Sequence, residues 1–238
     1  MTRLMKTQAW VLLCVALVGC TNREKGNVPL TEEQNTAKTK LESQMKEAAQ
    51  TKQKYHAMNN TELLQKLMEQ SKAQREPFNS PAYRELKDRR DVDSKALVAL
   101  MKQNNNAGGL LPLLLLRKLD NKSYLEVSVE LRAKILTDAL QGSKVFNEWG
   151  LPNFYLEDAS RAMIEAGKST SPALKRLLSD TRPAPVFGSQ EHMVYQQYKY
   201  RVCDYALFFL EQIAGKQDFR MPVSPAERDA AIKQMAAQ

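Results

Sequence analysis

The sequence of 238 residues predicts an all-α protein, on three observations. Apolar residues recur at the spacing of a helix face in several segments, of which 63–68 is the clearest. Serine stands directly before proline at 80–81, 171–172 and 224–225, and each pair places a capping hydroxyl before a residue that suits the first helical position. No segment of any length alternates between apolar and polar residues, as a half-buried strand would.

The first predicted helix is polar and runs from Thr31 to about Tyr55. Thr31 followed by Gln34 is typical of a capping box, whose two side chains satisfy free amide groups at a helix start. Its apolar stripe is thin, so the segment is interpreted as a polar helical or flexible stalk. The members of that stripe are Ala37, Leu41, Met45 and Ala48.

Three further helices are predicted in the middle of the chain. Asp93 is expected to cap one that carries Leu97 and Met101. The leucine-rich run 110–119 is too short to span a bilayer and has a proline near its start, so it is predicted to be a fully buried helix. The segment 125–142 follows as one amphipathic helix, with the short Val-Ser-Val sequence at 127–129 inside its periodicity.

The N-terminus has the three parts of an export signal. Arg3 and Lys6 precede the apolar run 10–18, which is too short for a spanning helix. The run ends in Leu-Val-Gly-Cys, which resembles the bacterial lipobox. That resemblance implies cleavage between Gly19 and Cys20 and a covalent lipid on Cys20. In such lipoproteins an aspartate after the cysteine tends to retain the protein at the inner membrane, so Thr21 at that position favours the outer membrane. The alternatives are an ordinary cleaved signal with a coincidental cysteine, or an uncleaved anchor.

The predicted organisation is therefore a signal peptide at 1–19, a lipidated tether and stalk at 20–58, and an all-helical domain at 59–238. Once the signal is removed, Cys203 is the only cysteine besides the anchor, so no internal disulfide is expected. The two histidines, His56 and His192, lie far apart and outside any metal-ligand or nucleophile motif. The net charge of +8 is spread along the chain, and nucleic acid is an improbable partner for an exported protein.

The C-terminal half carries a pattern of two joined helices. Residues 157–167 end in Ala-Gly. The next segment, 172–180, begins with Pro-Ala-Leu, continues with Leu-Leu at 177–178 and ends with Asp180. A Val-x-Asp-x-Ala-Leu sequence then begins at Val202. Over about 153–215 this resembles HEAT-like repeats, and the resemblance implies an irregular HEAT-like or armadillo-like helical array. An irregular helical bundle is the alternative.

The segment 181–200 interrupts that pattern and is the predicted binding surface. Ser189 is expected to cap a helix that continues past Tyr200 to Tyr205. Tyrosine and arginine offer large contact areas at interfaces, although the same side chains could simply pack. The candidate binding residues are Arg182, Phe187, Tyr195, Tyr198, Tyr200, Arg201 and Asp204.

A second aromatic segment, 146–155, holds Trp149 and is expected to fold back onto the helices, because three exposed aromatics beside it would be costly. Glu148, Glu157 and Asp158 nearby give only a weak hint of paired-carboxylate chemistry. These observations predict a membrane-anchored helical scaffold that binds another envelope protein, without enzyme activity and without a cofactor other than the lipid. The alternatives are a cell-envelope enzyme or accessory to a cell-wall hydrolase, and a structural envelope tether.

Overall fold

The structure, a computed structural model, describes residues 32–72 and 80–237. The predicted signal peptide and Cys20 lie outside these residues. By its contacts the chain divides into two compact units, up to Ala48 and from Ala49 onward. The described residues are mostly helical, with one two-stranded hairpin, so the all-α prediction is confirmed at that level.

The elements are numbered here in chain order. The helices are α1 Glu32–His56, α2 Asn60–Lys72, α3 Pro81–Asp88, α4 Ser94–Gln103, α5 Leu110–Leu119, α6 Asn121–Glu126, α7 Val129–Gly142, α8 Asp158–Ala166, α9 Ser171–Leu177, α10 Ser189–Tyr198, α11 Val202–Ile213 and α12 Pro225–Ala236. The strands are β1 Gly150–Leu151 and β2 Tyr155–Leu156, and short 3-10 turns cover Ala107–Gly109 and Gly167–Thr170.

Helix α1 is polar, as its sequence predicts. In its part up to Ala48, the described side chains are exposed except for Leu41, which is half-buried. The helix ends at His56, close to the expected end at Tyr55, and the predicted capping residue Thr31 lies outside the described residues. Within residues 32–72 and 80–237, none of the helices combines the length and the apolar character needed to cross a bilayer.

The leucine-rich helix α5 lies at the centre of the core. Every side chain from Leu110 to Leu116 is buried, because α5 contacts α3, α4, α6, α7 and α8. Pro112 stands in its first turn, where the missing amide hydrogen has no helical acceptor to lose. The prediction of a fully buried helix is confirmed here.

Two of the three predicted serine caps are present. The Ser80 hydroxyl accepts from the Tyr83 amide at 3.2 Å, and the Ser224 hydroxyl accepts from the Glu227 amide at 3.4 Å. Asp93 caps α4 in the same way, accepting from the Lys95 amide at 2.9 Å. Ser171 does not act as a cap: it is the first residue of α9 and follows the 3-10 turn that ends at Thr170. Because the chain is already helical there, the helix has no free extended start for a serine to cap.

The single amphipathic helix predicted over 125–142 is instead two helices. Helix α6 ends at Glu126, the backbone is extended at Val127 and Ser128, and α7 begins at Val129. The Ser128 hydroxyl accepts from the Leu131 amide at 3.3 Å and so satisfies the start of α7. A serine hydroxyl competes with helical backbone bonds, which makes this position a helix boundary rather than a helix interior.

The aromatic segment before α8 forms the hairpin. Strands β1 and β2 are antiparallel, with Gly150 opposite Leu156. Phe146 and Trp149 are buried, and the Trp149 indole donates to the Ser143 hydroxyl at 3.0 Å. The expectation that this segment folds back is therefore confirmed for those two rings. It is wrong for Phe154, which lies in the tight turn of the hairpin and is half exposed.

Helix α11 organises the C-terminal half. Its residues from Val202 to Glu211 are all buried, because α8, α9 and α12 pack against it. Cys203 lies among them and is buried in the core.

Candidate interaction surface

The predicted binding segment leaves the core as an excursion, residues 181–201, whose two arms pair with each other. Pro183 and Arg201 form an antiparallel bridge. On either side of it, the Ala184 amide donates to the Tyr200 carbonyl at 2.8 Å and the Val202 amide donates to the Arg182 carbonyl at 3.0 Å. These bonds close the base of the excursion and hold α10 at its tip.

A second set of bonds fixes the outgoing arm to the hairpin segment. The Phe146 amide donates to the Pro185 carbonyl at 2.8 Å. Asn147 reaches Phe187 twice: its amide nitrogen donates to the Phe187 carbonyl at 2.5 Å, and its Oδ1 accepts from the Phe187 amide at 2.9 Å. The backbone of Phe187 is therefore held at a defined position, while 54% of the residue is exposed.

Helix α10 lies on the surface, and none of its described side chains is fully buried. Val194 and Tyr198 pack against the core, and Met193 is 70% exposed. The helix does not continue to Tyr205 as expected, because Lys199 adopts a left-handed conformation with φ 49° and the chain is extended again at Arg201. The expected cap is also displaced: Gly188 is the capping residue and Ser189 is already helical.

This break divides the seven candidate binding residues into two groups. Arg182 and Phe187 are exposed, and Tyr195, Tyr198 and Arg201 are half-buried. Tyr200 and Asp204 are fully buried, so the prediction that they form a contact surface is wrong. The residues between α10 and α11 shift the helical phase, which turns Tyr200 and Asp204 toward the interior.

Asp204 and Arg201 act together at the start of α11. The Asp204 carboxylate accepts from the Arg201 backbone amide at 2.9 Å and from its guanidinium nitrogens at 2.9 and 3.2 Å. Asp204 thus satisfies a free backbone amide at the start of α11 and also holds the Arg201 side chain. The carboxylate raises the pKa of Arg201 well above its ordinary value. Arg201 also pairs with Asp229 at 2.7 Å, so its charge is already balanced within the protein.

A series of aromatic rings connects the surface to the core. The ring centres of Phe154 and Tyr198 are 5.5 Å apart, those of Tyr198 and Tyr200 are 5.0 Å apart, and those of Tyr200 and Tyr205 are 6.1 Å apart. The buried hydroxyls at the inner end donate to the hairpin: Tyr200 to the Pro152 carbonyl at 3.1 Å and Tyr205 to the Gly150 carbonyl at 2.6 Å. Burial raises the pKa of both phenols. Phe154 and Tyr198 are thus supported from beneath by a fixed stack.

The exposed and half-buried apolar side chains of the excursion, together with Phe154, are called the α10 surface below. Its members are Phe154, Phe187, Met193, Tyr195 and Tyr198. Sequence reasoning missed Met193, although it stands out of phase with the packing residues Val194 and Tyr198. It also missed Phe154, for which the local sequence carries no comparable signal.

The carboxylates that hinted at enzyme chemistry have other partners. Asp158 lies 3.5 Å from the Lys87 ammonium and 4.0 Å from the Arg117 guanidinium. Glu148 and Glu157 are half-buried and each takes part in interactions of its own. Among residues 32–72 and 80–237, no three histidine, cysteine or carboxylate side chains are grouped as a metal site would require.

Comparisons with known proteins found no matching family model, no matching curated protein and no matching solved structure.

Proposed function

We propose that this protein is a lipid-anchored protein of the bacterial cell envelope that acts as a helical interaction scaffold, with the α10 surface as its contact with another envelope protein. The anchor rests on the charged, apolar and cysteine-terminated N-terminus, with the lipid on Cys20. Several acyl chains would hold the protein firmly, whereas a single chain binds a membrane only marginally. Thr21 after the cysteine favours the outer membrane over the inner one.

The scaffold is proposed to be an irregular HEAT-like array. This rests on α11, against which both α8 and α9 pack, in the region where the sequence resembles such repeats. Helices of this kind bury one face each and need neighbours to complete their core. The excursion 181–201 then projects from the array as an insertion between two of its helices.

The observation that carries the proposal is the exposure of apolar side chains on a backbone segment that is held in place by hydrogen bonds. Phe187 and Met193 are 54% and 70% exposed, and the backbone of Phe187 is held by two bonds to Asn147. The free energy falls when a partner covers exposed apolar groups and removes them from water. A backbone that is already ordered loses little conformational entropy on binding, so this placement favours recognition.

The proposal is tested by photo-crosslinking in intact cells. A photoreactive amino acid replaces Phe187 or Met193, and the same residue replaces Leu125 as a matched control. Leu125 is a 61% exposed apolar residue on α6 that does not belong to the α10 surface. We expect one discrete crosslinked protein from positions 187 and 193 and none from position 125.

The crosslinked protein must then bind the purified chain directly. We expect the double variant Phe187→Ser/Met193→Gln to bind it at least about tenfold more weakly, a loss of about 1.4 kcal/mol, while Leu125→Ser binds like the wild type. Equal affinities for all three chains would overturn the contact surface.

The anchor is tested separately by labelling cells with a fatty-acid analogue. Label should appear on the wild-type chain and disappear in Cys20→Ser. Label that persists in Cys20→Ser would refute lipidation at this residue and leave the crosslinking result unaffected.

A structural tether is the second candidate function, because α1 is polar and its part in the first unit, up to Ala48, is exposed. A helix of that length extends about 38 Å, enough to act as a spacer. Removal of 31–58 should then abolish function in the cell while the purified remainder retains its helical content and its partner. Retained function in the cell would refute the tether.

A further inference from the structure

A cavity of about 310 Å³ lies between α7 and α9. The side chains of its lining that bear on its chemistry are Thr137 and Asp138 from α7, Ala173 and Arg176 from α9, and Ser179 and Asp180 from the segment after α9. Sites for small molecules occupy about 300–1,000 Å³. The cavity therefore has room for a small molecule rather than for a segment of a protein.

The two carboxylates of the lining have cations of their own. Oδ2 of Asp138 lies 2.6 Å from Nζ of Lys134. Nε of Arg182 lies 2.9 and 3.1 Å from the two oxygens of Asp180. Arg182 also donates to the Gln141 carbonyl at 2.6 Å, in the last turn of α7. The negative groups of the lining are thus compensated within the protein.

Arg176 is the charged side chain of the lining that has no such partner. Among residues 32–72 and 80–237, no carboxylate oxygen lies within 4.0 Å of its guanidinium. Its Nη1 donates to the Pro172 carbonyl at 3.3 Å, one turn earlier in α9. The lining therefore carries one positive charge that is not balanced by an ion pair, and it favours a ligand with a single negative charge.

The hydroxyls of the lining can only accept further hydrogen bonds. The Thr137 hydroxyl donates to the Ala133 carbonyl at 2.9 Å, and the Ser179 hydroxyl donates to the Arg176 carbonyl at 3.0 Å. Because a hydroxyl carries one proton, both oxygens are left with lone pairs alone. Oδ1 of Asp138 is a third acceptor, since Lys134 bonds to the other oxygen. A ligand must therefore bring donors as well as a negative charge.

The donors are best supplied by hydroxyl groups. Lys134 already balances the charge of Asp138, so an ammonium group beside them would add a positive charge in excess. A hydroxyl group donates to the same oxygen without adding a charge.

We propose that this cavity binds a small hydroxy acid with one negative charge. Its carboxylate would bind Arg176, whose guanidinium presents parallel N–H donors that match two carboxylate oxygens. Its hydroxyl groups would donate to the oxygens of Thr137, Asp138 and Ser179. The cavity is separate from the α10 surface and from the lipid anchor, so the proposal does not rest on either.

The test is a titration of the full chain with sodium glycerate and sodium glucuronate at constant ionic strength, followed by the backbone amide NMR signals of 137–141 and 173–180. Sodium propionate lacks the hydroxyl groups of glycerate, and glycerol lacks its carboxylate, so these two are the matched controls. We expect saturable shifts with at least one hydroxy acid and binding at least about tenfold weaker with both controls. No saturable shift with either acid would overturn the site, and equal affinities for propionate and the hydroxy acids would overturn the ligand class.

Three variants locate the binding. Arg176→Gln should weaken it at least about tenfold, and Arg161→Gln should leave it unchanged, because Arg161 is an exposed arginine of α8 outside the cavity. Both arginines are exposed, so neither replacement disturbs the core. Ala173→Leu fills the cavity, keeps every charge and should abolish binding. Unchanged binding in Ala173→Leu would show ion pairing at the surface instead of a cavity site and would overturn the proposal.

Discussion

Asp204 and Arg228 form an ion pair in the interior, with Oδ2 of the aspartate 3.2 Å from Nε of the arginine and neither side chain exposed. The other guanidinium nitrogens of Arg228 donate to the carbonyls of Pro222, Val223 and Tyr198 at 3.0, 2.6 and 2.7 Å. One side chain thus joins α12 to the start of α11, to the end of α10 and to the loop before α12.

Replacement of Arg228 by Met should destabilise the protein by about 3–5 kcal/mol, because Asp204 would keep a buried charge without its partner. Urea unfolding measures the loss. Arg220→Met is the matched control: Arg220 lies in the same loop region and is exposed, so its removal should change the unfolding free energy by less than about 0.5 kcal/mol. Similar values for the two variants would contradict the role of the buried pair.

The two serine–proline pairs at 171–172 and 224–225 should respond differently to the same mutation. Ser224→Ala removes a hydroxyl that caps α12 and should cost about 1 kcal/mol. Ser171→Ala removes no capping bond and should be neutral or slightly stabilising, since alanine is the better helix former. Chemical denaturation of both variants provides the comparison. An equal loss in both would show that the start of α9 is wrongly placed.

Asp120 should make the protein sensitive to acid. Its carboxylate accepts from the hydroxyls of Ser123 and Ser94 at 2.6 and 2.7 Å, and these bonds, with that of Ser123 first, lower its pKa from 3.8 to about 2. When the pKa of a carboxyl is lower in the folded than in the unfolded chain, the ionised carboxylate stabilises the fold. This stabilisation is complete at pH values above the unfolded-state pKa, and it is lost as the pH falls through the folded-state pKa. The stability advantage of the wild type over Asp120→Asn should therefore shrink between about pH 5 and about pH 2.

Urea unfolding of both chains across that pH range measures this difference. A stability difference that stays constant with pH would show that the Asp120 carboxylate titrates alike in the folded and unfolded chains.

Cys203 should be inert in the folded protein. Burial raises its pKa to about 11, so the thiol stays protonated at neutral pH. The side chain is also buried in the core, so a reagent cannot reach it. In a chain with Cys14→Ser and Cys20→Ser, a thiol reagent should label nothing until denaturant is added and one thiol afterwards. Rapid labelling of the native chain would show that this part of the core opens.

Sequence reasoning succeeded where the signal is local. Ser80, Asp93 and Ser224 were identified as caps because a capping side chain bonds to amides two or three residues away. The apolar run 110–119 was identified as a buried helix because its composition leaves no polar face. The Ser128 boundary between α6 and α7 also had a local signal, which the apolar periodicity around it concealed.

The α10 surface could be predicted only in part. The sequence of 195–205 predicts one continuous helix, and in such a helix Tyr200 and Asp204 would belong to the same contact surface as Tyr195 and Arg201. Backbone pairing between Ala184 and Tyr200 draws 199–201 out of the helix, and this pairing joins residues far apart in sequence. Such contacts change the phase of everything that follows, and no local pattern reports them.

The sequence by itself determined the all-α class, the capped starts of α3, α4 and α12 and the lipobox-like terminus, because each follows from patterns within a few residues. Tertiary structure alone decided which polar groups are buried. Arg228 and Arg132 look alike in sequence, yet one meets Asp204 in the interior and the other meets the Tyr124 ring and the Val127 carbonyl. The difference lies in long-range packing, which sets the dielectric surroundings and the partners of each charge.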